Sequence, residues 1–172
     1  MKNLLIITVL VFSVLTLNAQ ETKKTRKQKK AEKEAKLIEQ TKKLIEANAW
    51  EFDATQMLPA QGRSKSLTTD YNVILKDNNV NSYLPYFGRA YSASYGSSES
   101  PMIFEAPIED YSVKDGKKGS YIVKFSAMNK GDKVEFTFNV SVTGFTSLNI
   151  ISTNRQHISY HGELVEIEEE EK

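Results

Sequence analysis

Reactive side chains are sparse in this chain: cysteine is absent, His157 and His161 are the only histidines, and Glu109-Asp110 is an adjacent acid pair. Nucleophilic catalysis needs a Ser, Thr or Cys beside a base and an oxyanion donor. Neither a Gly-x-Ser-x-Gly elbow nor a Ser-x-x-Lys signature in a suitable context occurs here. On one strand His157 and His161 would share a face but stand ~13 Å apart, too far to ligate one metal ion. Glu109 and Asp110, as strand neighbours, would point to opposite faces, whereas glycoside hydrolysis needs two acids facing each other across a cleft. Gly-x-x-x-x-Gly-Lys and Gly-x-Gly-x-x-Gly phosphate cradles are missing. No catalytic residue, metal ligand or cofactor is therefore assigned.

Binding chemistry is better represented. Tyr83, Tyr86, Phe87, Tyr91 and Tyr95 crowd a short stretch with Arg89 among them, and flat amphipathic rings of this kind stack on sugars or line apolar pockets. Tyr86, Phe87, Arg89 and Tyr91, with Arg155 and Tyr160 further on, are the candidate ligand-contacting residues. The plainer role for Tyr86 and Phe87, beside Pro85 and Gly88, is to anchor a tight turn to the core.

The elements that must position these residues follow from periodicity. Leu37, Ile38, Thr41, Leu44, Ile45 and Asn48 keep helical spacing and predict an amphipathic helix ending near Ala49. Trp50, Phe52 and Ala54 then alternate with polar residues, so a strand starts almost without a linker. Further strands are expected over residues 67–76, 80–83, 102–108, 120–128, 134–142, 145–152 and 154–165, separated by turn clusters such as Asp77-Asn78-Asn79 and Asn129-Lys130-Gly131-Asp132. Pro85 must end pairing or sit at an edge, and residues 90–101, rich in Ser, Gly and Tyr, predict a long surface loop. Strands with one wet face belong to antiparallel sheets. The expected fold is mainly β (α+β): an antiparallel curved sheet, sandwich or partly open barrel of seven to eight strands with one N-terminal helix.

Residues 1–19, with Lys2 ahead of an apolar run from Leu4 to Leu17 and Ala19 as a cleavage point, predict a signal peptide; the run is too short for the ~20 residues a transmembrane helix needs. The chain is thus expected to be exported into a Gram-negative periplasm or beyond, with no transmembrane span once mature. Residues 20–36 read as a basic tether, with eight basic and three acidic residues from Glu21 to Lys36. Residues 37–166 read as a single β-rich domain and 167–172 as an acidic tail. Without cysteine, stability in an oxidising compartment rests on burial of eight Tyr, eight Phe and one Trp.

At Leu84-Pro85-Tyr86-Phe87-Gly88-Arg89-Ala90 and Asn154-Arg155-Gln156-His157-Ile158-Ser159-Tyr160-His161-Gly162, the chain resembles an exported family, domain of unknown function 4251. The resemblance spans about Leu37 to Val165 and implies one domain. It transfers no activity, ligand or functional residue. The reading that best fits these residues is an exported envelope protein with a non-catalytic β scaffold that binds a ligand or partner, such as an envelope glycan, lipid or protein. Nucleic acid does not suit an exported chain. The alternative is a lipocalin-like carrier of an apolar molecule, and the third reading an envelope hydrolase.

Overall fold

A computed structural model describes residues 25–91 and 100–167. The expected signal peptide, the start of the basic tether, most of the Ser/Gly/Tyr loop with Tyr95, and nearly all of the acidic tail lie outside those residues. The chain divides into two compact units, Met1–Lys33 and Glu34–Lys172.

Helix α1 (Arg26–Ala47) starts earlier than its apolar face does. Thr25 and Gln28 explain the start. The Gln28 side chain accepts from the Thr25 amide at 2.9 Å while the Thr25 hydroxyl accepts from the Gln28 amide at 3.4 Å, a reciprocal cap that satisfies otherwise orphaned donors. Residues 25–40 are all exposed, and only Thr41 and Ile45 are fully buried, with Leu44 half-buried beside them. Leu37 and Ile38, expected on the packed face, stay exposed, because contact with the barrel begins one turn later. Asn48, with φ of 53°, ends the helix in the left-handed conformation that Asn tolerates.

Eight strands follow: β1 (Trp50–Pro59), β2 (Lys65–Lys76), β3 (Asn79–Tyr83), β4 (Ile103–Asp115), β5 (Tyr121–Asn129), β6 (Asp132–Val140), β7 (Phe145–Ser152) and β8 (Arg155–Val165). Each pairs antiparallel with its sequence neighbour, and β1 pairs with β8 to close a barrel. Closure, which alternation alone leaves open, is settled by that last ladder. The β2–β3 connection is a two-residue turn with Asp77 and Asn78 both at positive φ, and Lys130-Gly131 makes a similar one between β5 and β6; this backbone twist matches that of the flanking strands. β4 runs seven residues beyond the expected Ile108. At Asp110, with φ of 56°, a bulge shifts its register against β5 and hides the alternation.

Inward positions hold a continuous apolar core. Trp50 and Phe52 meet Phe138 edge-on at 4.9 and 5.7 Å between centroids, and Phe125 stacks on Phe136 and Phe138 at 4.9 and 5.7 Å. An eight-stranded barrel is just wide enough for side chains to fill, and these rings fill it. Outward positions carry Asp53, Glu105, Lys124, Glu135, Asn139 and Glu163, all exposed. Exposed Ile103, Val113, Phe145 and Ile151 interrupt that polar surface. No helix among the described residues is long and apolar enough to cross a membrane.

The two barrel ends differ. Around Gly144 and Leu164 the opening lies beneath α1: a Cβ on Gly144 would stand 3.3 Å from the Thr41 hydroxyl, and Ile45 joins the core. At the opposite end, where β1, β3, β5 and β7 finish, the chain after β3 crosses toward the start of β8.

Candidate functional site

Residues 84–91 form a strap over that second end. Pro85 has no amide hydrogen to continue the ladder, so β3 stops at Tyr83 and the strap is held by other bonds. Leu84 sinks into the core. The Tyr160 hydroxyl, rising from β8 inside the barrel, donates to the Pro85 carbonyl at 2.6 Å, and the Tyr86 hydroxyl donates to the Gln156 carbonyl at 2.8 Å. Gly88 permits the second bond, because a Cβ there would run into the Tyr86 hydroxyl. Backbone pairing completes the clamp: Gln156 N–H donates to Arg89 O at 3.0 Å and Tyr91 N–H to Asn154 O at 2.8 Å.

The start of β8 is braced from its other side. Asp132 accepts from the Ser152 hydroxyl at 2.6 Å and from the Asn154 amide at 3.2 Å. Arg155 Nε is buried without a hydrogen-bond partner, and Asp132 Oδ2 faces it at 3.8 Å, an ion pair too long for a hydrogen bond. The Arg155 guanidinium also lies 5.9 Å from the centre of the Tyr86 ring. Burial raises the Tyr86 phenol above the ordinary tyrosine range, with Arg155 opposing it; burial first, then nearby Tyr86, raises Tyr160 much further. Both phenols are held neutral, as donors must be.

The six residues singled out from sequence therefore divide. Tyr160 is fully buried and faces the barrel interior, so it contributes nothing to a surface; Tyr86 and Arg155 are half-buried, with their polar atoms directed at the clamp. Phe87, Arg89 and Tyr91 are exposed, Phe87 at 52% and Tyr91 at 72%. Beside them opens a cleft of about 420 Å³ between the strap and the β1–β2 turn, lined by Gln61, Arg63, Lys65, Phe87, Arg89 and Gln156 among others. Lys65 Nζ sits 3.9 Å over the Phe87 ring, a cation–π contact that fixes where its charge lies. Residues 61–64 lie in the turn between β1 and β2. Arg63 and Lys65, two apart at a strand start, were the available signal for a shared side, but their distance from Arg89 is bridged only by the strap.

The remaining reactive groups lie away from this cleft. His157 is exposed on β8, and His161 packs 5.8 Å from the Phe145 ring. Asp110 faces Lys133 at 3.4 Å and accepts from Ser126 at the β4 bulge.

Fold and site together define an up-and-down antiparallel barrel with a helix at one end and a tyrosine-clamped strap at the other. The chain belongs to the DUF4251 family, a domain of unknown function whose model matches residues 32–164. Both sequence motifs lie within that span, and they prove to be the two halves of the clamp. A crystal structure of a DUF4251 family protein from Bacteroides eggerthii DSM 20697 is similar, with a TM-score of 0.57 and 14% identity over 76% of this chain and 87% of that one; at this identity the likeness is one of fold. No curated protein matches the chain significantly.

Proposed function

We propose that this chain is an exported, non-catalytic β scaffold of a Gram-negative envelope that binds a ligand or partner through Phe87, Arg89 and Tyr91. The N-terminal residues Lys2, Leu4 to Leu17 and Ala19 support export. One observation supports the binding role above the others. The strap's backbone and its Tyr86 ring are tied into the barrel, yet three neighbouring side chains suited to stacking and anion contact are held in water. Exposed rings on a braced segment lose little entropy on binding. A carrier with an apolar cavity fits less well, because stacked Phe125, Phe136 and Phe138 occupy the interior.

A thermal-shift screen of the protein against envelope glycans and lipids tests the reading, alongside capture of partners from an envelope extract. The Phe87→Ala/Tyr91→Ala double variant should keep the wild-type melting temperature and lose the response. If no ligand class raises the melting temperature and the double variant captures the same partners as wild type, the reading is wrong.

A further inference from the structure

We infer that the cleft between the strap and the β1–β2 turn is a site for an anionic sugar, one bearing a carboxylate or a phosphate. The inference rests on the binding role proposed above and names its ligand class. Arg63, Lys65 and Arg89 line one cleft, and among the described residues no carboxylate lies within ion-pair distance of any of them. Two other barrel cations do have carboxylate partners, Arg155 with Asp132 and Lys133 with Asp110. Three like charges gathered without a counter-charge repel one another, and a bound anion removes that repulsion while accepting hydrogen bonds from planar guanidinium groups. Two of the three residues are tied in place, one by its side chain and one by its backbone. Lys65 is seated on Phe87, and the Arg89 backbone is bonded to Gln156 through its carbonyl at 3.0 Å.

The rest of the lining points to a sugar rather than a bare ion. Gln61 and Gln156 supply amides that donate to and accept from hydroxyl groups, and half-exposed Phe87 offers an apolar ring against which a pyranose face can stack. A cleft of about 420 Å³ falls in the range that holds a small organic ligand. Such a sugar can reach the cleft free in solution or as the headgroup of a glycolipid.

The test is NMR titration of the protein, expressed from its full-length reading frame, with trigalacturonate, with neutral maltotriose, and with lipopolysaccharide micelles. Trigalacturonate should shift the amides of residues 61–65 and 87–89 and bind at least about tenfold more weakly to Arg63→Gln/Arg89→Gln, the change expected from losing one charge-assisted hydrogen bond or more. Both side chains are exposed, so the melting temperature of that variant should stay within error. Binding should also weaken as salt is raised from about 0.05 to about 0.5 M. Shifts of these amides by lipopolysaccharide alone would assign the anionic sugar to a lipid carrier. If maltotriose shifts the same amides as strongly, the anionic assignment is overturned and the binding role stands. If all three probes leave these amides unmoved, the assignment is overturned, and the binding role is judged by its own screen.

Discussion

Tyr160 ties the strap to the barrel interior. Its hydroxyl supplies the Pro85 carbonyl with a donor at the edge of the core. Tyr160→Phe leaves that acceptor unpaired, at a cost of about 1–3 kcal/mol at neutral pH. The native phenol is raised far above its ordinary value near 10. The stabilisation it contributes is therefore complete below about pH 10 and declines as pH rises toward the native value. Urea melts at pH 8 and pH 11 should show the gap between wild type and Tyr160→Phe narrowing at the higher pH. An unchanged gap would mean that the phenol is not buried as a neutral donor. Raised Tyr86 and Tyr111 leave some alkaline sensitivity in the variant. Gly162 is the second critical residue: a Cβ there would strike the Asp53 carbonyl oxygen and crowd the Phe52 ring beside the β1 bulge. Gly162→Ala should destabilise by about 1–3 kcal/mol or more, measured by denaturant unfolding. Neither cost was visible from residue type, since a tyrosine and a glycine in an alternating strand look ordinary until the facing strand is known.

Among the elements, α1 has two halves with different work. Residues 25–36 bury nothing, and exposed helical pairs such as Glu39–Lys43 at 2.9 Å contribute little to stability. Removing residues 21–36 should shift the melting temperature by no more than a degree or two, whereas Ile45→Ala should cost about 2–5 kcal/mol because it empties a filled position at the barrel end. Differential scanning calorimetry on both variants checks the pair; a large loss from the truncation would show that the basic half packs. The helix end near Ala49, the change of period at Trp50 and the turns at Asp77-Asn78 and Lys130-Gly131 were all legible, because helix caps, alternation and left-handed turn residues are local physics. The long β4 was not. Its bulge at Asp110 inserts one residue, and a pattern of period two cannot be followed through an inserted residue without the partner strand.

For the whole molecule, one aromatic cluster joins β1, β5 and β6 inside the barrel. Phe138 touches Trp50, Phe52, Phe125 and Phe136, so Phe138→Ala should cost about 3–5 kcal/mol and lower the melting of both barrel ends in a single transition. Tryptophan fluorescence from Trp50 and hydrogen exchange at the strap report the two ends, and two separate transitions would refute a single core. The sequence by itself determined the class of strand, its faces, the turns and the poverty of catalytic groups, since each of these follows from a residue and its near neighbours. Tertiary structure alone decided that β1 meets β8, that the two family motifs grip each other across about seventy residues of chain, and that Arg63, Lys65 and Arg89 share one cleft. Those are matters of register and closure. They depend on which strands stand side by side in space, and alternation within one strand carries no information about its neighbour.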